Sequence, residues 1–258
     1  MIKGLKIIAV INQKGGVAKS TTAQAIAECL SRDGARVLLV DADAQGNLSY
    51  ALGVDANAAN GTLYDALTGA RRSDACVVCL NNGLDIIPAS PHLAVADIVL
   101  KDVGKEYRLK ETIAAVCAGG KYDYCVIDTP PSLGILTINA LTAANGAVIP
   151  AQADAFSLQG IQGVRETIAT VKKYCNPTLR EYGILLTRFS SRTCISRNVA
   201  EYLDGLKGGL HVFATKIREC TAVKEAQTAR AGLLAYAPNS NAAKDYREFV
   251  TELKGIMV

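Results

Sequence analysis

Short apolar runs alternate with stretches of helical periodicity along most of the chain. Runs at 5–11, 37–40, 84–87, 124–127, 147–150, 182–187 and 212–217 read as strands. Several are almost wholly apolar, the mark of strands covered on both faces of a parallel sheet. Between them the pattern predicts helices over 20–32, 106–118, 135–144, 157–174, 196–206, 222–231 and 242–254. The last repeats its apolar positions at Tyr246, Phe249, Val250 and Leu253, an i, i+3, i+4, i+7 stripe. Such alternation predicts a doubly wound α/β fold, a mostly parallel sheet with helices on both faces. No repeat, linker or low-complexity tract interrupts residues 1–258, so a single domain is expected. The stretch 47–72 is the least regular, and one short helix is expected near 63–67.

Composition narrows the class. Half of the 258 residues are hydrophobic and 20% are charged, with a net charge of only +4, which excludes a mainly disordered chain. No apolar run reaches the roughly 18–20 residues of a membrane helix, and the N-terminus lacks the sections of a signal peptide. An intracellular, soluble protein is expected. Its eight cysteines fit reduced thiols better than a disulfide framework. The one CxxC, Cys76-Val-Val-Cys79, lacks a second pair or His partners at metal-binding spacing. The charge is uneven: residues 1–150 hold 13 Lys and Arg against 14 Asp and Glu, and residues 151–258 hold 15 against 10. The basic excess belongs to the C-terminal part.

The first strand runs into Asn12-Gln13-Lys14-Gly15-Gly16-Val17-Ala18-Lys19-Ser20-Thr21, and a helix follows. Strand, glycine loop, Lys-Ser, helix is the order of a phosphate cradle, in which backbone N–H groups point at the anion. Lys19 would serve the β- and γ-phosphates and the Ser20 hydroxyl Mg²⁺. The strict G-x-x-x-x-G-K-[ST] pattern is broken at Gln13 and Ala18. On this segment alone an ordinary Gly-Gly turn is the alternative.

Two more strand ends carry acids. The second reads Val40-Asp41-Ala42-Asp43-Ala44-Gln45-Gly46-Asn47, with both carboxylates on one side of the strand. Tyr124-Cys125-Val126-Ile127-Asp128-Thr129-Pro130-Pro131 is an apolar strand ending in Asp, the form of the acid held near Mg²⁺ in P-loop NTPases. A single strand-ending Asp is often a cap; three acids at two strand ends beside a glycine loop favour a ligand site at the carboxyl edge of the sheet.

These segments together resemble the ParA/MinD ATPases, P-loop NTPases with a deviant Walker A motif. Lys14-Gly-Gly-Val-Ala-Lys19-Ser20-Thr21 is similar to that motif, Asp41-Ala-Asp43-Ala-Gln45-Gly-Asn to the second acidic motif, and Val126-Ile-Asp128-Thr-Pro-Pro-Ser-Leu-Gly134 to the Walker B region. Phe156-Ser-Leu-Gln-Gly160-Ile and Pro238-Asn-Ser-Asn-Ala-Ala-Lys-Asp-Tyr246 resemble the ParA/Soj branch. The resemblance implies a Mg²⁺-dependent ATPase, slow without its partner, that partitions plasmids or chromosomes. It gives Gly15, Gly16, Val17, Ala18, Lys19, Ser20 and Thr21 the nucleotide phosphates, and Ser20, Asp43 and Asp128 the metal and the attacking water. Lys14 is implied to reach the partner subunit's ATP in a sandwich dimer, and Pro238 to pack on adenine. Ala18 departs from the commoner Gly at a position where positive φ favours Gly.

The resemblance also places non-specific DNA contacts on the basic C-terminal part, where Arg188, Arg192, Arg197, Lys216, Arg218, Lys224 and Arg247 are the candidates. Glu219 interrupts the basic run, and some of these charges read equally well as solvated helix faces. A homodimer formed on ATP binding, a ParB-type adaptor that stimulates hydrolysis, and a cytoplasmic, nucleoid-associated protein are implied. The first strand starts too early for an N-terminal helix-turn-helix, and no basic amphipathic helix is expected at the C-terminus. The absence of that helix argues against a MinD-like membrane-surface ATPase, the alternative within this family. A cluster-binding reductase related to the nitrogenase iron protein would need a cysteine arrangement that this sequence lacks.

Overall fold

The computed structural model describes residues 4–80, 83–190 and 211–257, with the backbone alone at 155–159. The apolar runs pair into one sheet of seven strands among these residues: β1 (Lys6–Val10), β2 (Val37–Asp41), β3 (Val78–Cys79), β4 (Leu84–Ile87), β5 (Tyr124–Asp128), β6 (Gly146–Gln152) and β7 (Arg180–Thr187). Their spatial order is β3-β4-β2-β5-β1-β6-β7, and every neighbouring pair is parallel except β3 with β4. All five residues of β2 are buried, as a strand covered on both faces requires.

Side-chain alternation divides each strand between two cores. Ile8, Val10, Val37, Leu39 and Val126 pack beneath helices Lys19–Arg32 and Asn241–Ile256, with Ile26, Leu30, Tyr246, Phe249 and Leu253. Ala9, Ile11, Leu38, Val40, Cys125 and Ile127 pack on the other face. There they meet Ile113 of helix Arg108–Val116, Ala140 of helix Ile135–Ala143 and Val164 of helix Ala155–Tyr174. Fully burying one such aliphatic side chain contributes about 1.5–3 kcal/mol, so both faces hold the sheet between helix layers. The doubly wound α/β fold is the observed one.

Three local departures have physical reasons. The run 212–217 meets β7 at separated points, the bridge of Ile184 with Val212 and the amides of Phe213 and Ile217 donating to Ile184 O and Leu186 O, and forms no continuous ladder. The amides of Ala214 and Thr215 donate to the Glu252 carboxylate at 2.8 and 3.1 Å, which diverts them from a ladder. The antiparallel edge strand β3 is two residues long, too short to show a period. Helix 106–118 is shorter than expected, Arg108–Val116, because a tight turn at Lys105–Tyr107 precedes it. The expected helix at 196–206 lies outside the described residues.

At the centre of the sheet, β1 lies between β5 and β6 while β2 joins the far side of β5. The register places Val10 opposite Asp128 and Asp128 opposite Asp41. The chain from β1 therefore leaves the sheet beside two carboxylates, at the edge where such folds bind ligands.

Candidate phosphate-binding site

The loop after β1 is pinned by side chains from three other strand ends. Asn12 is buried, donating from Nδ2 to the Pro150 carbonyl at 2.7 Å and accepting the Lys14 amide at 3.0 Å. Gln152 Nε2 donates to Gly16 O at 2.9 Å, Thr187 Oγ1 to Val17 O at 3.0 Å, and Thr129 Oγ1 to Val10 O at 2.9 Å. With those carbonyls occupied from outside, the loop turns through Gly16 at φ 76° and Ala18 at φ 66° into helix Lys19–Arg32. No side chain caps that helix, so its first N–H groups stand ready for an anion. Ala18 is left-handed, a conformation that costs an L residue about 1–2 kcal/mol.

Lys19 is buried, and its Nζ donates to the Lys14 carbonyl at 3.0 Å. Burial lowers its pKa, while the negative charges of Asp128 and Asp43 oppose the shift. Asp41 and Asp128 are fully buried side by side. Asp41 accepts the amide and hydroxyl of Ser49 at 2.8 and 2.7 Å and the amide of Asp43 at 3.2 Å. Burial nevertheless lifts it to about 6. Asp128 is pushed well above the usual carboxylate range, by burial first and then by the charge of Asp41. The nearby Ser20 hydroxyl and Lys19 pull it back, yet neither Asp128 oxygen closes a hydrogen bond. Asp43, also buried, accepts the Gln45 amide at 3.0 Å.

A cleft of about 770 Å³ opens over the loop. Gly15, Gly16, Ala18, Lys19, Ser20, Thr21 and Asp43 line its floor, and Asn47, Tyr50, Ile217, Arg218, Lys224 and Tyr246 are among its walls. Val17 and Asp128 are buried and do not line the cleft. Lys14 does not line this cleft; its Nζ meets Asp154 Oδ2 at 2.5 Å. Pro238 is not brought into the cleft either, and its carbonyl accepts Arg247 Nη2 at 2.6 Å.

The donor set suits a small hard cation. Among the described residues no three carboxylate, imidazole or thiol groups converge to hold a metal by themselves. A hydroxyl and one or two carboxylates with bare oxygens, beside an anion cradle, is how Mg²⁺ is held together with phosphates. The orphaned oxygens of Asp128 fit that role.

The basic candidates are placed unevenly. Arg188 pairs with Glu219 at 2.7 Å, Arg218 forks onto the buried Asp245, and Lys216 Nζ sits 5.2 Å from the centre of the Phe189 ring. Lys224 lies on the cleft wall, and Arg192 and Arg197 lie outside the described residues. The contacts of Asn12, Gln152, Asp154 and Thr187 were not legible in the sequence, since each joins the loop to a distant strand end. Nor was the stack of Arg230 over Tyr50 at the cleft wall, 4.4 Å from the ring centre.

The chain is similar to several known proteins. The AAA domain family matches residues 5–181. The chromosome partitioning protein ParA of Caulobacter vibrioides is 43% identical over 199 residues, 76% of this chain and 74% of that protein. The sporulation initiation inhibitor protein Soj of Bacillus subtilis is 39% identical over 250 residues, 96% and 98% of the two chains. Among solved structures, the cobyrinic acid a,c-diamide synthase of Mycobacterium smegmatis with bound ATP analog and magnesium superposes with a TM-score of 0.83. It is 36% identical, over 96% of this chain and 93% of that one.

Proposed function

Because the chain belongs to the ParA/Soj family of partition ATPases, we propose that it binds Mg²⁺ and ATP at this cleft and uses the nucleotide to switch its hold on DNA. The loop amides and the end of helix Lys19–Arg32 take the phosphates, and Lys19 exchanges the Lys14 carbonyl for a phosphate oxygen. Ser20 and Asp128 hold the cation, which when bound neutralises charge on the β- and γ-phosphates. Asp43, fixed by the Gln45 amide, orients the attacking water and accepts its proton.

The observation that carries the switch is the separation of the two lysines. Lys19 lies on the floor of the cleft, while Lys14 holds its charge outside it. A cation in that place is suited to phosphates brought by a second subunit, because two triphosphates face to face repel strongly. Only the ATP form would then join two chains and their basic surfaces, a population shift driven by differential binding. Phosphate-backbone contacts from Lys and Arg need no base reading.

A fold hosts many chemistries, and the Mycobacterium smegmatis relative is described as a synthase. Phosphate release separates the readings. Partition predicts slow Mg²⁺-dependent turnover that rises when DNA and a ParB-type adaptor are both present. Turnover that responds instead to a small-molecule acceptor, and not to DNA with adaptor, would overturn it.

A further inference from the structure

Lys14 is held at three of its atoms. Its amide donates to Asn12 Oδ1, its carbonyl accepts Lys19 Nζ, and its ammonium meets Asp154. The first two contacts are local to the loop. The third comes from the turn between β6 and helix Ala155–Tyr174, 140 residues away in sequence.

That turn is not a loose arm. Pro150 O accepts from Asn12, Gln152 donates to Gly16 O, and the Asp154 amide closes back on Gln152 O at 2.9 Å. The end of β6 is thus fixed to the loop before Asp154 is reached, and the carboxylate is presented to Lys14 from a rigid support. The side chains of the pair are 30% and 34% exposed. A pair in that position holds the ammonium in one place, and it remains open to an incoming anion.

The pair bears directly on the reading above, on which this inference rests. A Lys14 that serves a second subunit's phosphates must first leave its own carboxylate. We propose that Asp154 is the positioning residue for Lys14: it holds the ammonium beside the loop in the single chain and is displaced when the ATP dimer forms. Asp154 therefore opposes dimerisation and sets the concentration at which it occurs. Once the phosphate has gone, the same carboxylate is in place to take Lys14 back, which favours separation of the subunits. A two-fold dimer breaks two such pairs. A partly exposed ion pair contributes about two- to fivefold in an equilibrium; counted twice, removal of the carboxylate tightens the dimer by about four- to 25-fold.

The test measures dimer dissociation constants by sedimentation or light scattering, with Mg²⁺ and a non-hydrolysable ATP analogue. The proteins are wild type, Asp154→Asn, Asp154→Glu, Lys14→Gln and the Lys14→Gln, Asp154→Asn double variant. Asp154→Asn is expected to dimerise at lower concentration by the factor above, with ADP affinity within about twofold of wild type, since the cradle is untouched. Asp154→Glu is expected to restore the wild-type value, and Lys14→Gln, which lacks the cation for the partner's phosphates, to stay monomeric with or without Asp154→Asn. A merely structural role for Asp154 would weaken the dimer, and Asp154→Asn that brought dimerisation to the Lys14→Gln protein would show an effect independent of Lys14; either result overturns the inference. Wild type that stays monomeric with the analogue overturns the dimer reading itself, a different failure from a dimer indifferent to residue 154.

Discussion

Asp41 and Asp128 stand opposite each other across parallel neighbouring strands, both fully buried, and only Asp41 is satisfied, by Ser49 and the Asp43 amide. The unpartnered member is the one that the cation would need. The two carboxyls titrate higher in the folded chain than in the unfolded one, so the fold keeps protons that the unfolded chain releases. Stability therefore falls as pH rises from about 4. For Asp41 the loss is complete above its folded value of about 6, and for Asp128 it continues to higher pH. Nucleotide-free protein in chelator is expected to melt lower at about pH 8 than at about pH 6. Asp128→Asn is expected to stabilise it by about 1–3 kcal/mol at the higher pH. Thermal unfolding across that range checks this; an unchanged pH slope in the variant would contradict it.

Among the described residues Lys19 is the lysine on the floor of the cleft, and it feels the negative charges of Asp128 and Asp43. Lys19→Ala is expected to weaken ATP binding by roughly 10- to 150-fold, the range of one charge-assisted hydrogen bond. Calorimetric titration measures it. A change below threefold would mean that Lys19 does not meet the phosphates.

Ala18 is left-handed at φ 66°. Ala18→Gly relieves that conformation, offset by the greater freedom of Gly in the unfolded chain, and is expected to stabilise the protein by about 0.5–1 kcal/mol. Denaturant unfolding resolves a change of that size. A destabilised variant would show that the Ala18 methyl packs usefully.

Arg218 and Lys224 are both basic and both on the cleft wall, but they are held differently. Arg218 is forked onto the buried Asp245, while Lys224 is a contact candidate for DNA. Arg218→Ala is expected to lower the melting temperature, because Asp245 loses its guanidinium. Lys224→Ala is expected to leave melting unchanged and to reduce the salt slope of DNA binding by about 1. Paired melting curves and salt titrations of DNA affinity separate the two. Equal melting losses in both variants would contradict the assignment.

The sheet and the acids at its edge were legible because burial on both faces forces apolar runs, and Asp41 and Asp128 interrupt those runs at their ends. The glycine loop was legible because its glycines and Lys-Ser pair are contiguous. What supports the loop was not: Asn12, Gln152, Asp154 and Thr187 act across strands far apart in sequence. Pro238 was expected at the nucleotide by resemblance, yet its carbonyl holds Arg247 outside the cleft. Segment 212–217 has a strand's composition, but Glu252 takes two of its amides, a competition that no local pattern reveals.

Co-sedimentation with DNA of unrelated sequences tests the nucleotide switch most directly. Wild type and Asp43→Ala are compared with ATP, with ADP and without nucleotide, at low and high salt. The account predicts binding that requires ATP, ignores sequence and falls steeply with salt, with Asp43→Ala retained on DNA by ATP that it does not hydrolyse. Binding that is equal in all nucleotide states, or an Asp43→Ala protein that holds DNA no better with ATP than without, would contradict it.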